Sequence, residues 1–101
     1  MKPGAIAGDL WDLTEREFQK QALVYPWGTI GHSTGLSVHE GFEISKGSPV
    51  ALEPGMIINI EPSHIEAGDA RYHIEDTFVI TETGKQLLSS FTDIQTMCVI
   101  E

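Results

Sequence analysis

Basic residues are scarce in this chain: 6 Lys and Arg stand against 15 Asp and Glu, a formal net charge of −9. That balance argues against a protein that grips nucleic acid, because phosphate contacts need clustered cations. Cysteine is reduced to Cys98 alone, which rules out an internal disulfide framework and fits a reducing, cytoplasmic setting. No apolar run comes near the roughly 20 residues that cross a bilayer. Nor does an apolar stretch of about 7–15 residues follow Met1-Lys2-Pro3-Gly4, as a secretory signal requires. Internal repeats, linkers and low-complexity stretches are missing too. What is there suits a folded core, with 41% hydrophobic residues in 101, enough for one small domain or a piece of a larger one. The acidic excess then has two readings: simple solubility, or carboxylates gathered around cations. Only their positions separate the two.

Asp9 is a candidate N-cap for a helix running to about Val24, since its carboxylate can accept from the free N–H groups of a first turn. Trp11, Phe18 and Ala22 fall near helical spacing, with Leu10 and Leu13 beside them, and Glu15, Arg16, Glu17 and Lys20 cover the opposite face. Tyr25-Pro26-Trp27-Gly28 closes the helix, because proline disfavours helical geometry in the residue before it. From Thr29 the pattern changes to short β segments. Thr29 to His39 is rich in glycine and β-branched residues, and Val50 to Leu52 is a short strand ended by Pro54-Gly55. Met56 to Ile65 and Arg71 to Thr81 read as two longer strands, joined into a hairpin by Glu66-Ala67-Gly68-Asp69-Ala70. Thr83-Gly84 makes a turn, and Phe91 to Ile100 adds a final edge strand. One helix followed by an antiparallel β meander is an α+β pattern.

A hairpin centred on Gly68 sets Glu61 opposite Glu75. It also sets Asn59 opposite Thr77 and Ile57 opposite Val79 on that side, with Ile58 against Phe78 and Ile60 against Asp76 on the other. Directly opposed residues have Cβ atoms only about 4.5–5.5 Å apart, and like charges there destabilise a sheet. Three arrangements resolve the conflict. The carboxyls can share a proton, a bound cation can reverse the electrostatic sign, or the turn is offset and one Glu points to solvent.

His32, in Gly31-His32-Ser33-Thr34-Gly35, offers an imidazole where glycines let the backbone approach a site closely. One imidazole with two carboxylates suits Mn, Fe, Co or Zn better than Ca or Mg; alternatively, His32 is structural or merely exposed. His39 precedes Glu40 and lies seven positions after His32. Strand alternation puts it on the other face, so it joins the same site only if the chain bends at Gly35. A cupin-like barrel also combines His and Glu on antiparallel strands, but it wants two close histidines and a Glu on one face, which this spacing does not provide.

The motifs Gly31-His32-Ser33-Thr34-Gly35-Leu36, Val38-His39-Glu40, Leu52-Glu53-Pro54-Gly55-Met56, Ile60-Glu61-Pro62, Ile74-Glu75-Asp76-Thr77 and Val79-Ile80-Thr81-Glu82-Thr83-Gly84 occur in this order. Together they resemble the family of methionine aminopeptidases, aminopeptidase P, prolidase and creatinase, nearest its Xaa-Pro branch. Lys2-Pro3-Gly4 and the helix after it are similar too, so the resemblance runs to about Leu88. It implies that residues 1–101 form the C-terminal portion of a metallopeptidase catalytic domain, half of a pita-bread fold.

In that family two Asp, one His and two Glu hold two divalent metals (Mn, Co, Zn or Fe). The resemblance assigns the metal ligands His32, Glu61 and Glu75, the last bridging. It makes His39 a group that contacts substrate or stabilises the oxyanion. Glu61 becomes a proton acceptor as well as a ligand, with a hydroxide between the metals as nucleophile. Arg71 and His73 are expected on the substrate side, His73 standing where some prolidase-like members carry Arg. Ser33 replaces a common glycine, and Phe42 a common proline. The family's two Asp precede Lys2-Pro3-Gly4, and Asp9 and Asp12 do not match them. This implies a partial site in a chain that is either a fragment of a longer enzyme or assembles with a missing N-terminal half, with an apolar edge open to self-association. The expected activity is metal-dependent exopeptidase hydrolysis of peptides. The alternatives are a non-catalytic binding module on the same fold, or a creatinase-like C–N hydrolase.

Overall fold

The computed structural model describes residues 1–66 and 71–90. Its helix, α1, spans Ala7–Lys20. Asp9 lies in the first turn, where its charge complements the helix dipole, but it is not the cap. That position is Ile6, whose side chain makes no capping bond. The cap is supplied instead by the 48–50 segment. Ala7 N–H donates to the Val50 carbonyl at 2.8 Å and Gly8 N–H to that of Ser48 at 3.0 Å. The first-turn donors are thus satisfied by tertiary contacts, and a side-chain oxygen is not needed.

The helix also stops short of Val24. Ala22 adopts a left-handed conformation (φ 57°). Ala22 N–H reaches the Gln19 carbonyl and Leu23 N–H that of Phe18, both at 3.0 Å. These are the paired bonds of a Schellman terminus. Ala22 is therefore exposed past the end of α1 and is not part of its apolar face.

Seven strands follow: β1 Thr29–Thr34, β2 Glu43–Ser45, β3 Ile57–Ile60, β4 Ser63–Ile65, β5 Arg71–His73, β6 Asp76–Ile80 and β7 Lys85–Leu87. Five make one antiparallel sheet in the order β2-β1-β3-β6-β7, and β4-β5 form a separate two-stranded extension. The expected α+β order of a helix and then antiparallel strands is thus observed, although β3 adds beside β1 and leaves β2 at the edge. The short β2 and β7 were not anticipated, for three-residue polar strands carry no usable alternation. Val50–Leu52 does not join the sheet. Ala51 makes an isolated bridge with Ile6, and Leu52 exchanges bonds with Gly4 and Ala5 at the start of the chain. The Pro54-Gly55 turn is present, with Gly55 at φ 88°. So is the turn at Thr83-Gly84, closed by Thr81 N–H on the Gly84 carbonyl. The expected strand over 91–100 and the tip of the hairpin at 67–70 lie outside the described residues.

The two long strands are each broken in the middle, β3 from β4 at Glu61-Pro62 and β5 from β6 at Ile74-Glu75. Pro62 has no N–H to give the ladder. The register nevertheless runs unchanged through the break. Ile57 faces Val79, Ile58 Phe78, Asn59 Thr77 and Ile60 Asp76; beyond it, Ser63 faces His73, His64 Tyr72 and Ile65 Arg71.

Alternation along β3 sends Ile58 into a core with Ala7, Trp11, Tyr25, Ile30, Ile44, Leu52 and Ile80, while Asn59 belongs to the other face. Gly31 allows β1 to sit close on β3, since a Cβ there would run into the Asn59 carbonyl. Among the described residues no helix is long and apolar enough to cross a membrane.

Ala22 in the left-handed region carries a steric cost of about 1–2 kcal/mol that glycine escapes. Ala22→Gly is therefore expected to stabilise the chain by about 1 kcal/mol, read as a raised urea midpoint with unchanged slope. A lowered midpoint would show that this terminus is not under strain.

Candidate metal centre

Glu61 follows β3 and Glu75 precedes β6, so both sit at the break, where no ladder bond joins them and the register still brings them together. His32, on β1, lies directly across from Asn59 on β3. One donor atom each from His32, Glu61 and Glu75 falls within 4.8 Å of the others. The register excludes the offset turn that would have separated the carboxylates. His32 is buried, at 3% exposure, Glu61 is half-buried and Glu75 exposed. Asp9 and Asp12 lie on the exposed side of α1 and are not part of this cluster.

The hydrogen bonds fix what each candidate ligand presents. His32 Nδ1 lies 3.1 Å from the Ser33 carbonyl, an acceptor, so Nδ1 carries the proton. A neutral ring then turns the Nε2 lone pair toward Glu61 Oε1, 3.4 Å away. Two acceptors so placed are suited to sharing a cation. A backbone carbonyl on the far nitrogen is also the usual support of a metal-bound imidazole. Glu61 Oε2 meets His73 Nε2 at 3.2 Å. Glu75 Oε1 accepts from Asn59 Nδ2 at 2.7 Å. One nitrogen and two carboxylates in a half-buried cluster fit a first-row divalent cation.

His39 does reach the site. The chain folds back after Thr34, with Ser33 N–H on the Phe42 carbonyl at 2.8 Å and Glu40 N–H on that of Ser33 at 3.1 Å. Ser33 Oγ donates to the Glu40 carbonyl and accepts from Phe42 N–H at 2.9 Å. The hydroxyl that replaces a family glycine thus ties down this loop. Its result is a stack of His39 on His32, ring centres 3.7 Å apart and planes 21° from parallel. Both imidazoles, with Glu40, Phe42 and Glu43, line a cavity of about 220 Å³.

Arg71 and His73 come together on the opposite side of Glu61, with Tyr25, Trp27 and Ser63, around a pocket of about 110 Å³. The Arg71 guanidinium donates to Ser63 Oγ at 3.0 Å and lies over the Trp27 ring at 5.5 Å. Neither Trp27 nor Asn59 was singled out from sequence. An asparagine one position from the Glu-Pro motif has no pattern to mark it, and Trp27 reaches the pocket only because the chain turns after Pro26.

The residue identities and geometry define a class. Residues 1–82 match the model of metallopeptidase family M24, and the chain belongs to that family. It is 38% identical over 93 residues to the Xaa-Pro dipeptidase of Pyrococcus furiosus, across 87% of this chain and 26% of that protein. The prolidase structure from Pyrococcus furiosus superposes with a TM-score of 0.83 at 32% identity, covering 91% of this chain and 28% of that one. The dipeptidase PepE of Mycobacterium ulcerans does so at 0.78 and 32%, covering 85% and 24%. The helix and antiparallel sheet are thus part of the pita-bread fold that the motifs implied. The chain spans about a quarter of the length of these relatives.

The Tyr25 phenol is raised above its ordinary value near 10, chiefly by burial, with Glu61 adding to the effect and a Ser63 backbone hydrogen bond and Arg71 opposing it. The folded chain therefore keeps a proton that the unfolded chain releases. This contribution to stability is intact below about pH 10 and is lost as pH rises through the unfolded and then the folded value. Tyr25→Phe loses the bond from Tyr25 Oη to the Thr29 carbonyl and should be less stable at neutral pH. Its urea midpoint should also fall less steeply above about pH 10. Parallel profiles for the two proteins would show that Tyr25 is not responsible.

Proposed function

We propose that this chain is the C-terminal, ligand-bearing portion of the catalytic domain of a metal-dependent Xaa-Pro exopeptidase. The carrying observation is the convergence of His32, Glu61 and Glu75 donor atoms within 4.8 Å, on strands whose sequence motifs match a metallopeptidase family. A preference for Xaa-Pro peptides is supported by the dipeptidase and prolidase relatives. His32 Nε2 and one oxygen from each Glu are the ligands. When bound, divalent cations supply an activated water and polarise the scissile carbonyl.

The remaining work falls to the chain's own residues. Glu61, half-buried and hydrogen-bonded through Oε2 to His73, accepts the proton of the attacking water. His39, held by its stack on His32, presents an imidazole to the cavity beside the ligands, placed to donate to the substrate's developing oxyanion. Arg71 and His73 line the pocket on the other side of Glu61 and engage polar groups of the peptide there. Three converging ligands form part of the site that the family motifs imply, so the 101 residues alone are expected to show no appreciable hydrolysis of Xaa-Pro dipeptides.

The test is cation binding. Mn²⁺ titration of the 101-residue chain, followed by the electron paramagnetic resonance of free Mn²⁺, should show binding that Glu75→Ala weakens at least about tenfold, by comparison with the effect of outer-shell changes. Equal affinity in both proteins would remove Glu75 from the site and sink this reading. Rapid turnover of Xaa-Pro dipeptides by the purified chain would overturn the claim that its site is partial.

A further inference from the structure

Asn59 is the least expected residue in β3. Its neighbours Ile57, Ile58 and Ile60 are what the middle of a sheet favours, whereas asparagine is a poor strand former. It is also buried, at 7% exposure, between His32 on β1 and Thr77 on β6. Its amide is only half used. Nδ2 donates to Glu75 Oε1 at 2.7 Å, while Oδ1 is enclosed with no hydrogen-bond partner among the described residues. An unsatisfied buried acceptor opposes folding. By these criteria an apolar residue would serve the strand better, and the amide needs an explanation outside stability.

Glu75 supplies one. It is exposed, it stands at the break between β5 and β6 where no ladder bond steadies it, and its side chain is long. Among the described residues, Asn59 is the group that hydrogen-bonds its carboxylate. A free glutamate would sample several rotamers and lose that freedom on binding a cation. One already held by a buried donor loses less.

We propose that Asn59 is a positioning residue for the cation site, acting through Glu75 and at a cost to the stability of the fold. The assignment rests on the metal-binding reading above.

The experiment is a double-mutant cycle on the full 101-residue chain with Asn59→Leu, close in shape but without the amide, and Glu75→Ala. Mn²⁺ affinity is read by electron paramagnetic resonance and the metal-free melting temperature by circular dichroism. Asn59→Leu should weaken Mn²⁺ binding roughly tenfold or more, have no further effect when Glu75 is already alanine, and melt no lower than wild type without metal. Should the leucine variant aggregate, Asn59→Thr, a good strand former whose hydroxyl is too short for the same bond, is expected to weaken binding in the same way. Unchanged affinity in Asn59→Leu overturns the proposal. So does an equal loss in both backgrounds, since the amide would then not act through Glu75. A lower metal-free melting temperature accompanying weaker binding also overturns it, in favour of a structural role. Equal Mn²⁺ binding by wild type and Glu75→Ala is a different failure: it removes the metal reading itself, and Asn59 with it.

Discussion

The antiparallel pairing of the segment after Met56 with the segment before Thr81 is the constraint on which the rest of the structure depends. It holds one register over β3–β6 and again over β4–β5. Between these ladders the two segments make no ladder bond to each other for a short stretch, and Glu61 and Glu75 fall there, Glu61 N–H turning instead to the Ile30 carbonyl at 2.7 Å. A shift of one residue would send every side chain of one strand to the opposite face, putting Asn59 in the core and Ile58 in the solvent-facing cluster. The burial of Ile58 and Ile80 in the shared core therefore enforces the meeting of the two carboxylates. Stability of the apolar face and geometry of the polar face are the same constraint seen from two sides.

On that frame each candidate ligand is hydrogen-bonded by a group outside the cluster. The Ser33 carbonyl sets the His32 ring, Asn59 steadies Glu75 and His73 meets Glu61. Two concavities flank the cluster, one under the His32–His39 stack and one beside Arg71 and Trp27.

Much of this was legible in the chain. The hairpin register followed from a turn centred at Gly68. The α+β order followed from the change of period after Pro26. Other features were not, and for identifiable reasons. The N-terminus of α1 is capped by backbone carbonyls of the 48–50 segment, distant in sequence, so the Asp9 signal was misleading. The C-terminus comes early because Ala22 enters the left-handed region, where glycine would have been the marker. Single long strands were expected where the chain has two short ones, because Pro62 interrupts the ladder without disturbing the alternation that made the segment read as β.

The sequence by itself determined which candidate ligand types are present, their order along the chain and the pairing that opposes Glu61 to Glu75, because turn chemistry is a local property. Only the tertiary structure decided that His39 joins His32. That required the fold-back after Thr34, tied by Ser33, which reverses the face that strand alternation assigns. It alone placed Asn59 behind Glu75 and Trp27 beside Arg71, since these contacts join residues from separate segments and depend on how β1, β3 and β6 lie side by side. Local patterns specify what a segment can present; packing of distant segments decides what it meets.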